Sequence, residues 1–233
     1  MPRWTVGDFV WVFVGGIFGS LLAATSVLFT TSLGEVLAVT LLGQQAGHVV
    51  ALVLVVKRRG ASMGDLGFDV RPSDGVFLFF GVFLQFAVQF AFLPLARLLS
   101  IDESPQTLTE VIPTVEGLAL KTLLMVSLAL VAPVLEEIMF RGILYKVVDQ
   151  RWGPGAAIWV TSLVFSLFHL VGVGGSDPLR AAVLVIPLFF VVGLVLAVQR
   201  RRHDRLGPPI FTHAGFNLVS ALILLFAPDL AGL

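Results

Sequence analysis

Seven long apolar runs dominate this sequence of 233 residues. A helix that crosses a lipid bilayer needs about 20 mostly apolar residues, and each run has roughly that length or more. The runs extend over residues 9–29, 35–56, 75–99, 117–148, 156–171, 179–199 and 208–227. Charged residues make up only 13% of the chain, against roughly 25% in soluble domains. The pattern predicts an all-α, polytopic transmembrane helix bundle of about seven spans.

The whole chain, residues 1–233, is expected to form a single membrane domain. Residues 1–116 supply three N-terminal spans and a polar link, and residues 117–227 supply a C-terminal core. The first run is long enough to be a retained membrane anchor and not a cleaved signal peptide. The sequence has no cysteine, which excludes disulfides, zinc–thiolate sites and cysteine nucleophiles. A net charge of zero and the lack of a basic stripe argue against a nucleic-acid partner.

Basic residues concentrate in three links between the runs. These links contain Lys57 to Arg71, Lys146 to Arg151, and Arg200 to Arg205. If every run spans the bilayer, all three links lie on the same side, and short loops rich in Lys and Arg stay in the cytoplasm. The sequence therefore predicts a multi-pass protein of the cell membrane with a cytoplasmic N-terminus. The acidic stretch 100–116 is expected to be a loop or an interfacial helix.

The fourth run contains a cluster of three charged side chains, Glu136, Glu137 and Arg141. A charge at the centre of a bilayer costs about 2.5–3.5 kcal/mol, so such residues need a partner or a function. Glu137 and Arg141 are four residues apart and share a helix face, so we expect them to pair. Glu136 points about 100° away from Glu137 on a helix and is the freer carboxylate. Pro133 is expected to kink or divide this span.

Three further polar side chains lie inside two later spans: His169 in the fifth, and His213 and Asn217 in the seventh. Glu136 and His169 are nearly equidistant from the turn at Trp152-Gly153, so they should lie at similar depth and can converge on one pocket. A carboxylate and a neutral imidazole can take a proton from a water molecule. A second imidazole and an amide can donate hydrogen bonds to a developing oxyanion. These groups suit hydrolysis of an amide bond without a covalent intermediate.

Taken together and in order, these motifs resemble the CPBP family of intramembrane proteases. The family comprises CAAX-type prenyl endopeptidases and bacteriocin-processing or immunity relatives, often called Abi or Rce1-like proteins. The resemblance covers residues 131–217. The motifs that carry it are Glu136-Glu137-x-x-x-Arg141, Phe165-x-x-x-His169, His213-x-x-x-Asn217 and the small-residue motif Phe190-x-x-Gly193-x-x-x-Ala197.

The resemblance implies an all-helical bundle with a catalytic cavity inside it, in contact with membrane lipid and with a peptide or lipidated protein as substrate. It implies water activation by Glu136 and His169, an oxyanion hole of His213 and Asn217, and support of the first pair by Glu137 and Arg141. Members of the family are described both as metalloproteases and as metal-free glutamate proteases. Glu136, His169 and His213 can also ligate zinc. The low charge of that set and the second role of Asn217 favour a metal-free site without a cofactor.

Two other functions remain as alternatives to an intramembrane endopeptidase. A non-proteolytic immunity or scaffold protein of the same fold predicts the loss of a motif residue, and no motif residue is lost. A transporter that relays protons through the cluster predicts internal repeats, and the sequence has none. The other intramembrane polar residues, among them His48, Gln45 and Gln85, are expected to form hydrogen bonds between helices. The 20 phenylalanines are expected to be packing and lipid-facing groups.

Overall fold

The fold is taken from a computed structural model of the chain, which describes residues 3–30, 32–101, 115–173 and 178–227. The helices are α1 (Val6–Ala24), α2 (Leu33–Arg58), α3 (Val76–Leu98), α4 (Leu118–Val126), α5 (Ala132–Glu137), α6 (Tyr145–Phe168), α7 (Pro178–His203) and α8 (Gly207–Phe226). No β-strand occurs among the described residues. The predicted all-α bundle is therefore confirmed. Most of the acidic stretch 100–116 lies outside the described residues.

Six stretches of the described chain are long and apolar enough to cross a membrane, and one of them contains two of the predicted spans. That stretch, Leu118–Val171, has 54 residues, which is about 80 Å of helix against a hydrocarbon core of about 30 Å. Gly153 interrupts it with a φ of 80°. The rings of Phe140 and Phe165 lie 5.2 Å apart on either side of this break. The stretch is therefore a hairpin around Gly153, in agreement with about seven crossings.

Pro133 does not divide the fourth span, contrary to one of the two expectations, because the backbone around it is π-helical. Ser127–Val131 and Ile138–Leu144 are π-helical segments before and after α5. Proline has no N–H, so the i→i+5 bonding of a π-helix leaves the Leu128 carbonyl without its donor at position 133. Asn217 Nδ2 of α8 donates to that carbonyl at 3.1 Å. A neighbouring helix thus satisfies the backbone group that proline leaves open inside the membrane.

The first two helices pack closely along a row of glycines. Gly15 and Gly19 of α1 face Gly43 and Gly47 of α2, and a Cβ at Gly19 would overlap the Gly43 carbonyl oxygen. Helices in a membrane associate through close van der Waals packing, which small residues permit. Gly15 and Gly19 are four residues apart in the sequence, a spacing that predicts a helix face open to close approach, and the structure shows that approach to α2.

We expect the substitution Gly19→Ala to separate α1 from α2 and to lower the free energy of unfolding by about 1–3 kcal/mol, the usual cost of overpacking. Thermal unfolding of the purified protein in detergent, followed by tryptophan fluorescence, measures the effect. Gly155→Ala is the matched control, because a Cβ at that helical position has no atom within 4 Å. Equal melting temperatures for the two variants would contradict the close packing.

His48 does not make the expected interhelical hydrogen bond through Nε2, which is buried and has no partner among the described residues. Its ring instead fills the space above Gly16 of α1. Two other expected interhelical hydrogen bonds are present: Gln45 Nε2 donates to the Ser127 carbonyl (3.2 Å) and Gln85 Nε2 donates to Ser220 Oγ (3.2 Å).

Two of the basic links and the N-terminus meet at one end of the bundle. Arg59 Nε donates to Asp8 Oδ1 at 2.9 Å, which joins the first link to α1. The Leu206 N–H donates to the Gly67 carbonyl at 2.8 Å, and Arg205 forms a bidentate ion pair with Asp74. The links at residues 57–71 and 200–205 therefore lie on the same side, as the charge pattern predicted. That this side is cytoplasmic stays a prediction from the distribution of Lys and Arg.

Candidate active site

The Glu137 carboxylate is the centre of the polar cluster and is completely buried. Its Oε1 accepts a hydrogen bond from Arg141 Nη1 at 3.0 Å, one turn along the same helix, so the predicted ion pair is present. The same oxygen contacts Nδ1 of His213 on α8, also at 3.0 Å. An ionised carboxylate only accepts hydrogen bonds, so Nδ1 of His213 carries a proton in this contact. The structure thus adds His213 to the predicted pair.

Arg141 is also fully buried, and its other contacts lie on α6 and α7. Its Nη2 donates to the Gly193 carbonyl at 3.0 Å, and its guanidinium lies 4.4 Å from the centre of the Phe165 ring. Gly193 packs against α6 so closely that a Cβ there would be 3.0 Å from Ser162 Cα. The small residue of the 190–197 motif therefore lets α7 approach α6, which brings its carbonyl within reach of the arginine.

Glu136 lies on a different face of the helix from Glu137, as its position in the sequence predicted. Its side chain is 19% exposed, and its Oε2 has no hydrogen-bond partner among the described residues. The nearest charged or polar contact is His213 Nε2 at 3.8 Å, which is beyond hydrogen-bond range. The two ring nitrogens of His213 therefore face the two glutamates, Nδ1 towards Glu137 and Nε2 towards Glu136.

His169 lies at the C-terminal end of α6, where its Nδ1 is 2.8 Å from the Phe165 carbonyl oxygen. A carbonyl accepts, so Nδ1 is the donor and Nε2 remains an acceptor in the neutral ring. Within the described parts of the chain, no hydrogen bond or ion pair joins His169 to Glu136. The predicted catalytic pair is thus not in direct contact in this structure.

Two phenylalanines surround the imidazoles, and one of them, Phe189, lies outside the sequence motifs. The Phe189 ring stacks on His169 with 3.8 Å between ring centres and an 18° interplanar angle. The Phe165 ring lies 4.5 Å from His169 and 5.6 Å from His213, between the two. Phe189 precedes Gly193 by four residues, so it shares a face of α7 with the glycine that contacts Arg141. That spacing was the signal available in the sequence.

Asn217 shares a face of α8 with His213, as predicted, but its amide contacts the fourth span and not the glutamates. Its Nδ2 donates to the Leu128 carbonyl at 3.1 Å. A side-chain amide has two N–H groups, so one of them remains for a further acceptor. The bond fixes the orientation of the amide relative to the π-helical segment that precedes Glu136.

A three-ligand metal site is not assembled around these residues. In the ranges that the structure describes, no group of three or more His, Asp and Glu side chains lies close enough to hold a metal ion. The alternative zinc set of Glu136, His169 and His213 is not such a group in this structure, and its binding of zinc stays a prediction.

Two grooves on the described surface do not include the cluster, although a catalytic cavity around it was expected. One of about 190 Å³ borders the cluster, since it is lined by Ala214 and Leu218, the neighbours of His213 and Asn217 in α8. The other lies between α3 and α7.

Comparison with known proteins identifies the same part of the chain. A family model described as type II CAAX prenyl endopeptidase Rce1-like matches residues 118–219, which contain all six residues of the cluster. Neither the curated proteins nor the solved structures contain a significant match to the chain. At the level of the family the match supports a membrane protease that acts on a peptide substrate. The resemblance is thereby confirmed: residues 118–219 of this multi-pass membrane protein are an Rce1-like region, consistent with the CPBP family of intramembrane proteases.

Proposed function

We propose that this protein is an intramembrane endopeptidase that hydrolyses a peptide bond of a membrane-associated substrate with an activated water molecule. The observation that carries the proposal is the arrangement at His213. This buried imidazole contacts Glu137 through Nδ1 and directs Nε2 towards the unbonded oxygen of Glu136. The arrangement lies within the Rce1-like region.

Glu136 is the proposed general base, helped by His169. The Glu136 carboxylate takes a proton from water, and the resulting hydroxide oxygen forms a bond to the carbonyl carbon of the substrate. His169 offers Nε2 as an acceptor because its Nδ1–H is bonded to the Phe165 carbonyl. Stacking on Phe189 holds the ring in that orientation. A positioned general base typically contributes about 10²–10⁴ in rate.

His213 and Asn217 are the proposed oxyanion donors. The Nδ1–H of His213 donates to Glu137. A second proton, on Nε2, makes the ring an imidazolium, and the two nearby glutamates balance its charge. One N–H of Asn217 is free of the bond to Leu128. Each preorganised oxyanion donor is worth about 10²–10³ in rate. When the tetrahedral intermediate collapses, the proton on Glu136 passes to the leaving amine as the C–N bond breaks.

Glu137 and Arg141 are proposed to support this pair and not to touch the substrate. Arg141 neutralises the Glu137 carboxylate and ties it to α6 and α7, so Glu137 can hold His213 in one orientation. Such a fixed second layer keeps the reacting groups within the narrow geometry that catalysis requires.

The proposal is tested with purified protein in phosphatidylcholine vesicles and a synthetic peptide held at the membrane. Two peptides of identical sequence, one farnesylated on a cysteine and one anchored by an apolar helix, distinguish a CAAX-type substrate from an unmodified membrane peptide. We expect cleavage of at least one peptide by the wild-type protein and about 10²-fold slower cleavage by His169→Ala, the loss typical of an acid–base residue. Mass spectrometry of the products gives the cleaved bond.

The same assay separates this proposal from its alternatives. Equal cleavage by the wild type and by folded His169→Ala would show that the activity comes from elsewhere. Absence of cleavage of both peptides by folded wild type would favour an immunity or scaffold protein of the same fold. We propose that the site works without a metal, so activity should survive dialysis against a chelator, with no bound metal in elemental analysis. Loss of activity on chelation and its return with zinc would overturn the metal-free mechanism.

A further inference from the structure

An open groove between α3 and α7 is separate from the candidate active site. Its volume is about 480 Å³, within the range of about 300–1,000 Å³ usual for small-molecule sites. No residue of the catalytic cluster lines it. The apolar wall consists of Val76, Phe77 and Phe80 of α3 and Leu194, Val195 and Val198 of α7.

The groove has the length of one leaflet of a bilayer. Along α7 it extends from Leu194 to His203 at the end of the helix. Nine residues of helix rise about 14 Å, which is about half of the 30 Å or so of hydrocarbon in a bilayer. The apolar part on α7, Leu194 to Val198, accounts for about 6 Å of this rise, so the wall accommodates the upper part of an acyl chain whose headgroup lies at Arg202 and His203.

The end of the groove nearest the basic links is cationic. Arg202 and His203 line it there, and the His203 ring lies edge-on to Phe77 with 5.3 Å between ring centres. Within the part of the chain that the structure describes, Arg202 has no ion pair. Two other arginines of the same link are paired, Arg200 with Asp204 and Arg205 with Asp74. A guanidinium with free donors binds a phosphate group through two parallel hydrogen bonds.

A buried acceptor lies one helical turn below these two residues. Gln199 lines the groove and donates through Nε2 to Thr212 Oγ1 at 2.9 Å. Its Oε1 is buried and has no hydrogen-bond partner among the described residues. Gln199 thus lies between the cationic end of the groove and its apolar wall, at the depth where a glycerophospholipid held by its phosphate at Arg202 places its glycerol backbone.

We propose that this groove binds one anionic glycerophospholipid, such as phosphatidylglycerol. The phosphate contacts Arg202 and His203, the glycerol backbone lies beside Gln199, and the upper part of one acyl chain lies along the wall formed by α3 and α7. Basic pockets between membrane helices bind anionic headgroups in this way. The lipid would join α3 to the end of α7, away from the proposed catalytic residues.

Native mass spectrometry of the purified, delipidated protein tests the proposal. The protein in nonionic detergent is titrated with phosphatidylglycerol or with phosphatidylcholine of the same acyl chains. We expect the first phosphatidylglycerol to bind at least about fivefold more tightly than phosphatidylcholine, the factor that one basic residue near an anionic headgroup supplies. Arg202→Gln should remove most of this preference. Arg201→Gln is the matched control, because Arg201 is exposed but does not line the groove, and it should keep the preference.

A second variant tests the place of the acyl chain. Val198→Trp fills the apolar part of the groove and should weaken binding of the first lipid, whether phosphatidylglycerol or phosphatidylcholine. Thermal unfolding reports whether the variant is folded. Equal affinities for the two lipids, or equal losses in Arg201→Gln and Arg202→Gln, would overturn the site. Displacement of the bound phosphatidylglycerol by one equivalent of a farnesylated peptide would assign the groove to a substrate chain and would also overturn the proposal.

Discussion

Replacing Glu136 by glutamine slows peptide cleavage by at least about 10³-fold, if this carboxylate takes the proton from water. Glutamine keeps the size of the side chain and removes its basicity. We expect the fold to be unaffected, because Glu136 Oε2 makes no hydrogen bond among the described residues. The free energy of unfolding should therefore not fall, because the substitution removes a largely buried charge and breaks no hydrogen bond in the described part of the chain. Single-turnover cleavage in vesicles measures the chemical step, and thermal unfolding measures the fold.

The control for this variant is Glu116→Gln, which removes an exposed carboxylate at the start of the same helical hairpin. It should cleave the peptide at the wild-type rate. A rate within tenfold of wild type for folded Glu136→Gln would remove Glu136 from the role of general base. If the cleavage rate falls only together with a large fall in melting temperature, Glu136 has a structural role instead.

Replacing Arg141 by methionine destabilises the protein by about 3–5 kcal/mol, the cost of leaving one member of a buried ion pair without its partner. Methionine retains much of the apolar stem but removes the donors to Glu137 and to the Gly193 carbonyl. The Glu137 carboxylate is then buried with His213 as its remaining partner. The midpoint of unfolding in detergent should fall accordingly. Arg201→Met, at an exposed position, should change it by less than about 0.5 kcal/mol.

A double-mutant cycle isolates the ion pair from the other contacts of Arg141. Glu137→Gln in the Arg141→Met background removes the uncompensated charge, so the double variant should be more stable than Arg141→Met alone. Additive losses in the two single variants would mean that Glu137 and Arg141 do not act as a pair.

The sequence predicted the parts of the structure that depend on local spacing. Hydropathy placed the spans because a bilayer admits only apolar helices of sufficient length. The four-residue spacing of Glu137 and Arg141 predicted their ion pair, and that of Gly15 and Gly19 predicted a helix face that another helix can approach closely. Each of these features lies on one helix, so the period of 3.6 residues is enough to predict it.

Contacts between helices could not be predicted in the same way. His213 contacts Glu137, whereas Asn217 contacts the Leu128 carbonyl. Which of these contacts form depends on how α8 is rotated against the fourth span. The π-helical segments before and after α5 change that rotation. Apart from Pro133, nothing in the residue pattern predicted these segments. The same holds for Phe189, whose place on His169 requires the approach of α7 that Gly193 permits.

The link between α2 and α3 contributes core contacts to the matched region. Leu66 in this link is fully buried, and it packs beside Gly142 and Leu206 of the Rce1-like region. Gly67 supplies the carbonyl that Leu206 needs, and Asp74 supplies the counter-ion of Arg205. A chain shortened to begin at residue 118 would lose all three partners and leave a hole in its core. The boundary that sequence comparison draws at residue 118 therefore marks where family likeness begins, and not where the packed core begins.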